Sequence, residues 1–161
     1  YIAKQHGYRL RTVEAAVDVN EEQKTKLFKK ASERLITFNG LKVAVLGLTF
    51  KAGTDDLREA PSISNIELLL KAGANIYAYD PVGMENTKKK FPTQINYVDN
   101  IEDALKDANV CFVFTEWDEI KLIKPEMYKK LMKTALVYDG RNIYNLEEMK
   151  KTKIEYYSIG R

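Results

Sequence analysis

The sequence is poor in the residues from which most catalytic and metal sites are built. It holds one cysteine, Cys111, and one histidine, His6, in 161 residues. A single cysteine closes no internal disulfide and fits either a reducing compartment or indifference to redox state. With the histidine at position 6, residues 7–161 cannot assemble a Ser/His/Asp or Cys/His nucleophile set. No cluster of cysteine, histidine and carboxylate has metal-ligand spacing. Long apolar runs are missing as well: residues 43–48 and 110–114 fall far short of the ~20 residues that a bilayer requires. Neither sign of charge dominates. Lys plus Arg is 26 against 23 for Asp plus Glu, and a net charge of +3 demands neither nucleic acid nor an acidic membrane as partner. The lysine clusters at residues 88–90 and 150–151 lack the interleaved aromatics of a single-strand groove. The chain opens with Tyr1, with no basic and apolar leader behind it, which reads as a piece of a longer protein.

What is present is a globular composition, 45% apolar and 30% charged, in a chain of one-domain length. Residues 1–6 resemble a helix tail stopped by Gly7. Apolar residues Val13, Val17, Leu27, Ala31, Leu35 and Phe38 recur at helical spacing and predict one long helix over residues 12–38. Asn20 and Lys24 interrupt that stripe, where the helix faces water or a partner. Asn39-Gly40 ends it. Beyond it, short apolar runs at residues 42–48, 75–79, 95–98, 110–114, 135–138 and 154–159 alternate with helical stretches at 63–71, 84–90, 101–106, 125–132 and 146–149. Continuous apolar strands separated by helices imply parallel crossovers with both faces covered. The expectation is an α/β fold: a doubly wound, mainly parallel, Rossmann-like sheet over residues 40–161, preceded by a long connecting helix in residues 1–39.

Ligands of such sheets sit beyond the carboxyl ends of the strands. The loop after the first strand, residues 47–61, is far longer than the two to six residues a strand-to-helix turn requires. It carries Lys51, Arg58, Asp55, Asp56 and Glu59. A lysine supplies a point charge to phosphate and an arginine a planar fork for diphosphate or carboxylate. Ser62 and Ser64 follow at a helix start, where free amides attract anions. The same charges could instead neutralise one another, and both readings stand open. The turn holds Gly47 but not the Gly-x-Gly-x-x-Gly of a dinucleotide fold, although Asp80 ends the second strand where a ribose-binding acid would sit. A receiver domain is excluded, since no acidic pair closes the first strand. In Asp139-Gly140-Arg141-Asn142 the arginine either binds an anion or pairs with Asp139. Trp117 reads better as a cap on the core edge than as a ligand platform, and Cys111 as a small buried hydrophobe.

Certain of these loops also carry a family likeness. Val45-Leu46-Gly47-Leu48-Thr49-Phe50-Lys51, followed by Thr54-Asp55-Asp56-Leu57-Arg58-Glu59-Ala60-Pro61-Ser62, resembles the signature of the UDP-glucose/GDP-mannose dehydrogenase family at the start of its C-terminal UDP-binding domain. Tyr79-Asp80-Pro81, Thr115-Glu116-Trp117, Asp139-Gly140-Arg141-Asn142, the closing Tyr157-Ser158-Ile159-Gly160-Arg161 and the helical Val17-Asp18-Val19-Asn20 extend the likeness over nearly the whole chain. The Thr-Asp-Asp-x-Arg-Glu-Ala-Pro form is most like that of the UDP-glucose 6-dehydrogenases.

The resemblance implies a two-Rossmann enzyme that oxidises a sugar C6 alcohol to a carboxylate with two NAD, through a cysteine thioester. It implies substrate contacts from Phe50, Lys51 and Arg141, and a contact from Arg58 to NAD, with Asp55, Asp56 and Asp139 as orienting groups. It implies a homodimer through the long helix and a cytoplasmic setting. UDP-N-acetylmannosamine or GDP-mannose remain alternative substrates, and an oligomerisation module an alternative role. The family's glycine-rich NAD segment and its Gly-Gly-x-Cys nucleophile are not in this sequence, and Cys111 does not match that nucleophile. This stretch alone is therefore expected to hold no catalytic residue and to be inactive, with NAD bound mainly by residues outside it.

Overall fold

The computed structural model describes residues 9–160. The helix tail expected over residues 1–6, its stop at Gly7, and Arg161 lie outside the described residues.

The single helix that the spacing predicts is two helices, α1 (Arg11–Lys24) and α2 (Lys26–Arg34). The cause lies in a residue distant in sequence. In a continuous helix the Phe28 N–H would donate to the Lys24 carbonyl. The fully buried Asn65 carboxamide stands between them: its Nδ2 donates to the Lys24 carbonyl at 2.6 Å, and its Oδ1 accepts from the Phe28 N–H at 3.1 Å. A side chain inserted into the helical ladder breaks or bends it. The helix also ends before the predicted Phe38. Leu35 adopts extended geometry, and Phe38 turns back to stack on Phe28 with ring centroids 5.2 Å apart. Leu27, Ala31 and Phe38 are buried, whereas Val13 and Val17, assigned by spacing to the same stripe, are each 55% exposed.

The sheet consists of β1 (Lys42–Leu46), β2 (Asn75–Tyr79), β3 (Asn96–Tyr97), β4 (Val110–Val113), β5 (Leu136–Asp139) and β6 (Glu155–Ser158). Their order is β3-β2-β1-β4-β5-β6, and each neighbouring pair is parallel. The crossovers carry α3 (Pro61–Lys71), α4 (Met84–Lys90), α5 (Ile101–Leu105), α6 (Asp118–Lys121), α7 (Pro125–Leu131) and α8 (Leu146–Lys151). The four-residue α6 has no counterpart in the sequence reading.

Alternation along β1 assigns its residues to two cores. Val43 and Val45 join Leu27, Ala31, Ile66 and Phe112 on one face, while Ala44 and Leu46 join Leu105, Cys111, Ile120 and Tyr128 on the other. Strands buried on both faces are why the sequence shows unbroken apolar runs. The register pairs Leu46 with both Tyr79 and Val113, and Val113 with Asp139. Four strands thus end at one level, and their loops form a common rim on either side of the β1/β4 switch point.

Candidate functional site

The long loop leaves β1 through Gly47, whose φ is +83°. A Cβ there would lie 2.5 Å from the Thr115 Cβ and 2.6 Å from the Thr115 backbone nitrogen. The absence of a side chain lets the first loop press directly on the loop after β4. The Thr115 hydroxyl completes the contact by donating to the Thr49 carbonyl at 2.5 Å. Ser62 is fully buried and donates to the Leu48 carbonyl, so its hydroxyl serves the loop and is not open to an anion.

The loop's charges divide in a way composition cannot reveal. Arg58 takes Asp56: its Nη2 donates at 2.8 Å and its Nε at 3.0 Å, and the Arg58 backbone N–H donates to the same carboxylate at 2.9 Å. The side-chain bonds from Arg58 hold the Asp56 carboxyl down at about 2. Asp55 accepts from Asn86 Nδ2 at 2.9 Å. Glu59, with φ +60°, pairs with Lys24 from the end of α1. The Lys24 ammonium also donates to Glu21 at 2.6 Å, and these two bonds raise its pKa. Lys51 is exposed, and its ammonium has no hydrogen bond or ion pair among the described residues. Phe50 beside it is 45% exposed.

The Arg141 side chain pairs not with Asp139, as one of the two alternatives had it, but with Glu116. Asp139 is fully buried and accepts from the backbone N–H groups of Arg141 at 2.8 Å and Ile143 at 2.7 Å, and from the Tyr156 hydroxyl at 2.7 Å. The guanidinium is held by Glu116 through Nε and, at 2.9 Å, through Nη2. That bond lowers the Glu116 pKa. A fork gripped along one edge keeps its Nη1 edge for a second acceptor. Glu116 stood in the quoted Thr115-Glu116-Trp117 motif, but nothing in its spacing announced this partner. Arg141, Gln23, Lys24 and Pro61 line a cavity of about 40 Å³ between α1 and the rim. Arg58, Asp55, Asn86 and Lys89 line a separate open depression of about 500 Å³.

Asp80 ends β2 at the position of a ribose-binding acid, but its side chain is fully buried and points into the loops. Oδ2 accepts from the N–H groups of Leu48 at 2.6 Å and Thr49 at 3.3 Å and from the Trp117 indole at 3.0 Å; Oδ1 accepts from the N–H groups of Val82 at 2.9 Å and Gly83 at 2.6 Å. Trp117 packs on the core edge, and Cys111 is buried. With one glycine at the turn and its acid turned inward, this rim does not fit a dinucleotide in the Rossmann manner. Among the described residues no group of three or more His, Cys, Asp and Glu could hold a metal ion, and no helix is long and apolar enough to cross a membrane.

Comparison with known proteins follows the same lines. Residues 44–146 match the family described as UDP-glucose/GDP-mannose dehydrogenase family, UDP binding domain. The chain is 40% identical over 157 residues to the UDP-glucose 6-dehydrogenase YwqF of Bacillus subtilis, covering 98% of this chain and 35% of that protein. It is 42% identical over 146 residues to the UDP-glucose 6-dehydrogenase AglM of Haloferax volcanii, covering 91% of this chain and 33% of that protein. Among solved structures, the UDP-glucose dehydrogenase of Pyrobaculum islandicum superposes with a TM-score of 0.80 at 28% identity, covering 97% of this chain and 34% of that one. The chain thus spans about a third of the length of these relatives.

Proposed function

The chain belongs to the UDP-glucose/GDP-mannose dehydrogenase family, and we propose that it holds the UDP half of a nucleotide sugar for a longer enzyme that oxidises UDP-glucose to UDP-glucuronate with two NAD. Residues 1–39 are then the end of that enzyme's helical middle, and residues 40–161 its C-terminal UDP-sugar domain. The observation that carries this reading is Lys51. It is a cation without a partner among the described residues, on a long loop at the switch point, while the neighbouring Arg58, Asp55, Asp56 and Glu59 are all engaged. In this reading Lys51 and the open edge of Arg141 meet the diphosphate, Phe50 flanks it, and Arg58 reaches toward NAD held mainly outside this chain. The longer protein is cytoplasmic, and this stretch alone oxidises nothing.

Calorimetric titration tests the reading. UDP binds the chain, and Lys51→Ala and Arg141→Ala each weaken binding by about tenfold, the scale of one charge-assisted contact. Unchanged affinity in Lys51→Ala would remove the lysine from the site. GDP titrated in parallel separates a UDP-sugar enzyme from a GDP-mannose one, and full-length activity on UDP-N-acetylmannosamine tests the remaining alternative.

A second role has its own observation. Helix α1 buries none of its residues, and Leu10, Val13, Val17 and Val19 are all more than half exposed. Val13 and Val17, one helical turn apart, share an exposed apolar face that suits a second copy of the chain, giving a homodimer. Sedimentation across a concentration series tests it, and a strict monomer at all concentrations opposes it.

A further inference from the structure

We infer that Asp80 is a positioning residue for Lys51, setting the course of the ligand loop from beneath while making no contact with ligand itself. The inference rests on the reading of Lys51 as a diphosphate contact.

The geometry is that of an anchor. Asp80 lies where a dinucleotide fold would direct a carboxylate outward to ribose. Here no part of it reaches solvent. Its Oδ2 gathers the first two N–H groups beyond Gly47, those of Leu48 and Thr49, at 2.6 and 3.3 Å. Its Oδ1 gathers those of Val82 and Gly83 at 2.9 and 2.6 Å. The Trp117 indole, 3.0 Å from Oδ2, adds the loop after β4. Three loops of the rim therefore converge on one carboxylate. The Thr49 hydroxyl lies 3.4 Å from Oδ2 and 3.1 Å from the Lys51 carbonyl, which links the anchor to the residue that carries the charge.

Asparagine cannot replace this group. A carboxamide converts one oxygen into a donor, and both oxygens face only donors. Either orientation sets an NH2 against N–H groups, and leaves buried donors without an acceptor.

A double-mutant cycle separates positioning from general support. Asp80→Asn, titrated with UDP well below its unfolding midpoint, binds about tenfold more weakly than the unaltered chain. In the Lys51→Ala background the same change costs no more than about twofold, because the residue through which it acts is gone. Equal losses in both backgrounds, or no loss in either, would overturn the inference. If Asp80→Asn does not fold, hydrogen exchange of the unaltered chain without nucleotide decides. Leu48 and Thr49 amides as protected as those of β1 support the anchor, whereas exchange as fast as that of Gly53 overturns it. Failure of the unaltered chain to bind UDP would instead defeat the proposed function, and the exchange result would still stand.

Discussion

Asn65 takes the hydrogen bond that Phe28 would otherwise give to its own helix. The carboxamide accepts from the Phe28 N–H at 3.1 Å and returns a donor to the orphaned Lys24 carbonyl at 2.6 Å. The α1–α2 junction is thereby tied to α3, which also holds Asn65 through its bond to the Pro61 carbonyl at 2.6 Å. Because Lys24 reaches Glu59 from this junction, the break helps to set where the helical segment meets the ligand loop.

Asn65→Ala should therefore cost more than the loss of a small buried side chain. Two backbone groups lose a partner, at about 1–3 kcal/mol for an unsatisfied buried group. Urea unfolding of the two proteins reads the difference. A cost below about 0.5 kcal/mol, the range of ordinary surface changes, would mean that the ladder closes again without the wedge.

The Asp56–Arg58 contact sets a pH window. The Asp56 carboxyl is held down at about 2, chiefly by the Arg58 side chain. A folded-state value below the unfolded value of ~3.9 means that the contact favours the folded loop above that pH, and that this advantage is lost as pH falls toward 2. Carboxyl NMR should find Asp56 among the last groups to protonate. In Arg58→Ala it should titrate with ordinary aspartates, and an unmoved Asp56 would show that the pair does not form in solution.

Much of the sheet was legible because its strands are buried on both faces, so β1 and β4 stand out as unbroken apolar runs in the sequence. The break at Thr25 was not legible, because its cause, Asn65, is 37 residues from Phe28 and enters only through tertiary packing. The site was legible in residue type and not in pairing. Lys51, Arg58 and Arg141 were candidates from their place after strand ends. Which acid each would meet depended on loop geometry, and Glu116 took the arginine that Asp139 stood nearest in sequence. Asp80 was recognised by position, but a sequence carries no sign of which way a carboxylate turns.

Gly47 and Gly53 make a controlled pair. Both adopt positive φ, +83° and +80°, but a Cβ at Gly53 meets open space, whereas one at Gly47 meets Thr115. Gly53→Ala should cost about 1–2 kcal/mol, the left-handed penalty alone. Gly47→Ala should cost clearly more, because Thr115 backbone must move. Equal unfolding free energies would show that the loops do not press together there.

Cys111 should be silent to thiol reagents in the folded chain. Burial pushes its thiol well above the ordinary range, and the thiolate is the reactive form. Labelling should appear only with unfolding, at the same denaturant midpoint as the loss of structure. Stoichiometric labelling of the folded chain would contradict the buried placement in β4.

The account stands most directly on where a diphosphate settles. In a crystal of this chain soaked with UDP, the phosphates should lie within hydrogen-bond distance of the Lys51 ammonium and the free edge of the Arg141 guanidinium, with Asp80 still beneath the loop and Glu116 still on the arginine. Phosphates bound elsewhere on the rim, with the loop after β1 left untouched, would contradict it.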